Sequence, residues 1–364
     1  MTIKLTEQYR PYSHEVGSSC LLPKSSWRIT AFPTRIEFIN YISEGTQEGF
    51  VVLYTTKGPL TQFTMMQDLE RLWVRVLGQG PYQSYFSFRI LASAYEIVFF
   101  MERAPVGGIA FVYGNKTYIL QRKEELIIPS SSLSFPSLCK EKMHFGSHKS
   151  QDWTLVKRRL SLHEILPIWF ALGKHIPHHP IIEVGSARLL SRCMTMMWQQ
   201  KRREIGKALL DLFRIGFDDI FLPRLQDLDH HGCFPDSDVI SKESSSLMLL
   251  GEGARLIRQL LVQQTEKVIK ILPCLPVEIH AGRFIDVDCK DLVLHFEWSK
   301  KLIRRIVIYS KVDQVRLIKF QSAIKSFRIR KGPRDRGVMH QANEPCMLCA
   351  KTVYLFDRFQ KKGL

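Results

Sequence analysis

Ser244-Ser245-Ser246-Leu247-Met248-Leu249-Leu250-Gly251-Glu252-Gly253-Ala254-Arg255-Leu256-Ile257-Arg258-Gln259-Leu260-Leu261 opens the stretch that decides the fold, and Ile271-Leu272-Pro273-Cys274-Leu275-Pro276 closes its first half. Leu247, Leu250, Ala254, Ile257 and Leu261 recur at spacings of three and four, which puts one apolar face on a helix over 244–264. Pro273 and Pro276 forbid helix continuation and bias the residues before them to extended backbone. Strands follow at Leu292-Val293-Leu294-His295-Phe296-Glu297-Trp298 and Ile306-Val307-Ile308, inside a region to Tyr309 that alternates apolar and polar residues.

Outward from this stretch, the chain divides by pattern. Residues 1–20 are polar and read as a flexible N-terminus. Over 21–129 short alternating runs, such as Ile36/Phe38 against Arg35/Glu37, predict an antiparallel β-domain of sandwich or open-barrel type. Gly114-Asn115-Lys116 reads as a hairpin turn between Phe111-Val112-Tyr113 and Thr117-Tyr118-Ile119-Leu120. Residues 130–150, rich in serine with Pro136, read as a linker. The region 151–265 reads as helical, with a capping box at Ser161 and Glu164 and a second cap at Ser186. Residues 266–330 form a small C-terminal β-domain, and 331–364 a basic, irregular tail with a short element near Thr352–Phe359. The fold class is therefore α+β: an antiparallel β-domain, a helical middle and a second, small β-domain.

Gly253 to Gln263, Ile271 to Pro276 and Asp291 to Trp298 together resemble the C-terminal end of bacterial α-L-fucosidases and, more distantly, disaccharide phosphorylases. The resemblance covers about 65 of the 364 residues. It implies an N-terminal β-sandwich, an (α/α)₆ catalytic barrel, a small C-terminal β-domain and a carbohydrate ligand. Size argues against a complete barrel. Twelve helices of about 11 residues with loops of about 5 need roughly 190 residues, and 151–265 holds 115. Five or six helices fit, an incomplete α/α layer. The family's Ile-Asp-Gly-Asn-Phe-Gly sentence is also replaced here by Ser244 to Gly251, without its acid. No catalytic residue transfers, and the resemblance implies a glycan- or partner-binding protein that does not hydrolyse.

An active hydrolase would need a protonated carboxyl and a base about 6.5–9.5 Å apart for inversion. The carboxylates available in the helical region are Glu204, Asp211, Asp218, Asp219, Asp227, Asp229, Asp236 and Asp238; Asp227 and Asp229, in a polar loop, are the catalytic candidates. Trp153, Trp169 and Trp198 are the candidates for stacking on a sugar, with core packing the competing expectation. His175, His178, His179 and His230-His231 have a spacing that could bind metal, but Pro177 and Pro180 break the helix that would align them. Cys346-Met347-Leu348-Cys349 is half a zinc site with no second half. No phosphate-cradling loop is present, and neither metal nor cofactor is expected.

The net charge of +17 is concentrated at one end. Residues 299–364 carry 17 Lys and Arg against four acids, +13, leaving +4 for the rest. Arg328, Arg330, Lys331, Arg334 and Arg336 form the densest run and make polyanion binding, to nucleic acid or an acidic surface, the alternative function. The apolar share of 45% and eight scattered cysteines fit globular cores with reduced thiols rather than a disulfide scaffold. The most apolar run, Ile97 to Tyr113, is broken by Glu102, Arg103 and Pro105, so no transmembrane helix is expected. The N-terminus lacks a secretory apolar segment, and a cytoplasmic location is the expectation.

Overall fold

The structure, a computed structural model, describes residues 3–42, 48–93, 95–130, 139–229, 244–332 and 334–362. It is α+β with strands predominating: five α-helices and 25 strands among the described residues. Two antiparallel six-stranded sheets form the N-terminal part. One runs in the order Tyr12–Ser13, Gln62–Asp68, Trp73–Gln79, Tyr85–Ala92, Glu96–Arg103, Glu125–Pro129. The other runs Lys116–Leu120, Ile109–Tyr113, Gly49–Tyr54, Arg35–Asn40, Trp27–Phe32, Ser19–Leu21. The period of two works as sequence predicts: in Arg35–Asn40, Ile36, Phe38 and Asn40 point inward and the residues between them outward. Gly114 at φ +58 and Asn115 make the two-residue turn of the hairpin, with Tyr113 opposite Lys116. The sheets meet through aromatic rings. Phe38 of one lies 5.9 Å from Phe99 of the other, and Phe111 lies 5.4 Å from Phe88.

The helices are α1 (Trp153–Arg159), α2 (Leu162–Gly173), α3 (Ala187–Trp198), α4 (Ile205–Gly216) and α5 (Leu247–Leu261). Asp152 caps α1 by accepting the N–H groups of Thr154 and Leu155. The capping box expected at α2 is absent. Ser161 makes no side-chain cap bond, and Glu164 is taken instead by the Arg159 guanidinium at 2.9 Å and by Lys149 at 3.6 Å. An ion pair satisfies the carboxylate better than a lone backbone donor. Ser186 likewise does not cap α3; its hydroxyl donates to the Arg224 carbonyl. The prediction for α5 holds in kind but understates it. Twelve of its 15 residues are buried, so it is a central helix and not a one-sided one. It crosses α2 closely, because Gly173 leaves room for the Leu250 carbonyl and Gly253 for the Trp169 indole. The Trp169 N–H donates to the Leu249 carbonyl at 3.1 Å. Five helices cannot close a twelve-helix ring.

After α5 the chain turns as the prolines require. The Leu272 and Cys274 amides bond back to the Leu261 and Leu260 carbonyls, burying Leu272, Cys274 and Leu275. A seven-stranded antiparallel sheet follows, ordered Lys142–His144, Gly282–Cys289, Leu292–Ser299, Leu302–Ser310, Thr352–Lys361, Ile324–Arg330, Val338–Gln341. A four-stranded sheet (Val262–Gln264, Val268–Ile271, Gln314–Lys319, Cys346–Leu348) lies beside it, with one parallel pair.

Three expectations about segment boundaries need correction. The N-terminal residues are docked: Ile3 packs on Ile285, Val307 and Leu355, and the Tyr9 hydroxyl donates to the Met143 carbonyl. The linker 130–150 contains an edge strand, Lys142–His144, paired with Gly282–Cys289, while 131–138 lie outside the described residues. The basic tail is not irregular: the short element expected near Thr352–Phe359 is the strand Thr352–Lys361, which sits between Leu302–Ser310 and Ile324–Arg330 with Tyr354 and Phe356 in the core.

Candidate functional site at the helix–sheet junction

Where α2 and α5 lie over the seven-stranded sheet, the chain leaves a cavity of about 680 Å³. Its polar wall is made by Glu141, Lys174, Arg255, Arg258, Asp288 and Lys311. A neighbouring cavity of about 540 Å³ lies between the end of α3, the end of α5 and the four-stranded sheet, against Trp198, Gln259, Gln263, Gln264, Lys290 and Arg316. Arg258 belongs to both walls. Volumes of several hundred Å³ are the size class of small-ligand sites. Local sequence explains the placement. Helical spacing puts Ala254, Arg255 and Arg258 on one side of α5, and the extended backbone from Val262 then presents Gln263 and Gln264.

One ion pair organises the larger cavity. Arg258 Nε donates to both oxygens of Glu141, at 3.0 and 2.9 Å, and its Nη2 to the Asp288 carbonyl at 2.7 Å. The Asp288 amide donates to Glu141 at 2.9 Å, so the buried carboxylate is fully occupied. It is a structural strut between the helical layer and the sheet, not a free acid or base. Lys174 reaches in from the end of α2 and donates to the Glu141 carbonyl at 2.8 Å. Burial pulls its pKa below the ordinary lysine value. Burial pushes the neighbouring Cys139 thiol up, so it is a poor nucleophile at neutral pH. Across both cavities seven cations (Lys140, Lys174, Arg255, Arg258, Lys290, Lys311, Arg316) face four carboxylates (Glu141, Glu266, Asp286, Asp288). Arg255 and Arg316 pair with Glu252 and Asp291 outside the walls, Arg258 with Glu141 and Lys311 with Asp288, so the site's excess positive charge rests on Lys140, Lys174 and Lys290.

In the smaller cavity the indole of Trp198 is 67% exposed, whereas Trp27, Trp73, Trp153, Trp169 and Trp298 are all buried. Gln259, Gln263, Gln264 and Glu266 make no side-chain hydrogen bond to another described residue. An open aromatic face beside unengaged amides is a surface with both apolar and hydrogen-bonding capacity.

The other residues predicted from sequence fall elsewhere. Trp153 packs on Phe213 and Phe221, and Trp169 on Phe217 and Phe221, which removes both as stacking platforms. Asp229 is ion-paired to Arg224, which also approaches Asp218 at 3.6 Å. Asp218, Asp219 and Asp229 line a third cavity of about 340 Å³, and Asp227 stands half-buried in the same loop. Burial, reinforced by the Asp218 charge, raises the Asp219 pKa. Burial would raise Asp218 too, but the Asp219 amide and the Lys157 ammonium outweigh it and the net shift is downward. Asp218 is further tied to Lys157 at 3.2 Å, so Asp218 and Asp229 are both held by cations. Asp236, Asp238 and His230-His231 lie outside the described residues.

His178 and the His179 amide meet the Glu252 carboxylate at 2.8 and 3.1 Å, joined by Arg255, an ion-pair cluster in place of a metal shell. Cys346 is buried in its strand and its thiol is pushed up to about 12. Arg328 and Arg330 are both tied to Asp357, by bonds of 2.8, 3.0 and 2.5 Å. That leaves Lys331, Arg334 and Arg336 exposed around the turn between Ile324–Arg330 and Val338–Gln341. Sequence reasoning missed Glu141, Lys174 and the glutamines. They sit on separate elements with no local motif, and only the apolar positions around them carried a periodic signal.

No helix among the described residues is long and apolar enough to cross a membrane. Neither protein-family models nor curated proteins give a match to this chain.

Proposed function

We propose that this chain is a non-catalytic carbohydrate-binding protein whose ligand is an acidic saccharide, stacked on Trp198 and reaching with its carboxylate or phosphate toward Lys174 and Lys290. The exposed indole carries the proposal. A sugar ring offers C–H groups to an aromatic face and hydroxyls to neighbouring amides, and Trp198 with Gln259, Gln263 and Gln264 provides both. The cation excess selects for acidic members of that class. The fucosidase-like stretch, Gly253 to Gln263, is the segment that builds the shared wall. The non-catalytic reading is supported by the pairing of Glu141, Asp218 and Asp229 with arginine and lysine partners.

Titration of uronic-acid and sugar-phosphate oligosaccharides against the matching neutral ones, read by tryptophan emission, tests this. Acidic ligands are expected to shift the emission. Trp198→Ala should lower affinity about five- to tenfold, the loss of a contact worth about 1–1.4 kcal/mol. Wild-type affinity in Trp198→Ala sinks the proposal. So does turnover of aryl-fucosides that Asp229→Asn abolishes.

A further inference from the structure

Glu7, His144 and His148 come together at the edge of the seven-stranded sheet, and none of the three lines either cavity. They stand in a group whose ligand atoms all lie within 4.8 Å of one another, and it is the one such group among the described residues. His144 ends the edge strand Lys142–His144, and Gly146 at φ +81 turns the chain so that His148 returns over it, ring centroids 5.0 Å apart. Glu7 arrives from the N-terminal segment that Ile3 and Tyr9 pin down. Its Oε1 is 3.6 Å from His148 Nδ1 and 3.9 Å from His144 Nδ1.

We infer that these three side chains form a zinc-class metal site, with water as the fourth ligand, that clamps the N-terminal segment to the sheet edge. The donor set is right for the ion: two imidazoles and one carboxylate are a common three-ligand shell, and the fourth position is then a water. Ligand bonds of about 2.0–2.1 Å at tetrahedral angles place donors about 3.4 Å apart; the two carboxylate–imidazole pairs, at 3.6 and 3.9 Å, are within a few tenths of an ångström of that, and all three donors lie within 4.8 Å of one another. The second ring nitrogen of His144 is already committed as ligand histidines require. Its Nε2–H donates to the Ser147 carbonyl at 2.9 Å, which leaves Nδ1 as the lone-pair nitrogen facing Glu7. That lone pair accepts only a long bond, 3.2 Å, from the Gly146 amide, which the metal would replace.

His148 is 69% exposed on its side chain, so its replacement leaves the fold intact. Full-length, untagged protein stripped of metal is titrated with Zn²⁺ against a fluorescent chelator. Wild type should hold one zinc at this site, and His148→Ala and Glu7→Gln should each lower that affinity at least tenfold. Cys346→Ser, a thiol remote from the group, should leave it unchanged. Zinc should also raise the thermal midpoint of wild type and not of His148→Ala. The inference fails if wild type takes no zinc, or if His148→Ala keeps wild-type affinity and midpoint shift. Should Glu7→Gln not fold, His148→Ala alone decides.

Discussion

The N-terminal sheets and the helix–sheet junction answer the same demand, burying apolar faces, in different ways. Between the sheets, rings of Phe38, Phe88, Phe99 and Phe111 fill the space with no charged group among them. At the junction, a cavity lies between helices α2 and α5 and the seven-stranded sheet. The gap is spanned by Arg258 and Glu141 and leaves two cavities. Like faces interdigitate; unlike ones leave room, and the room is where polar side chains collect.

The comparison breaks if the two regions respond alike to single changes. Phe99→Ala, at a fully buried position, should cost about 3–5 kcal/mol in denaturant unfolding. Glu141→Gln should cost less, about 2–3 kcal/mol, below the range for a fully buried pair because the Arg258 side chain is 26% exposed. It should also loosen α5 against the sheet, seen as faster amide exchange at Asp288. Trp198→Ala should change stability by no more than about 0.5 kcal/mol while lowering saccharide affinity, which separates binding from folding. If it destabilises by as much as Phe99→Ala, the indole is a packing element after all.

A smaller effect sharpens the contrast at the C-terminal end. Burial alone would raise the Asp357 pKa, but bonds from Arg328 and Arg330 outweigh it, and the folded value lies below the usual aspartate range. Its stabilisation is therefore complete above about pH 4 and is lost as pH falls through the depressed folded value. Asp357→Asn should flatten the acid limb of stability against pH, and it should also release Arg328 from its paired bonds. If it strengthens heparin binding, the cations of the hairpin are held in check by this pair. If binding is unchanged, Lys331, Arg334 and Arg336 set it.

Residue by residue, legibility followed locality. The helix through Leu247 and Leu261, the strands about Ile36 and Phe38 and the turn at Gly114 were readable because each depends on periodicity or a backbone preference within a few residues. The strand Thr352–Lys361 was legible as a short element near Thr352–Phe359, where Tyr354 and Phe356 alternate, but its place inside a sheet was not. The His144–His148 spacing was in plain view but meant nothing without Glu7, some 137 positions away. Trp153, Trp169 and Trp198 were equivalent in sequence, and only packing separated two interior rings from one open to solvent.

Sequence by itself determined the order of sheet, helix and sheet, the shortage of chain for a twelve-helix ring, and the crowding of positive charge toward the end. Tertiary structure decided which charges are spent on partners, which indole faces water, and that Val338–Gln341 and Thr352–Lys361 complete the seven-stranded sheet. The physical reason is range. Backbone preferences act over a turn or a strand, whereas burial and ion pairing are settled between side chains more than a hundred residues apart, as Glu141 and Arg258 are.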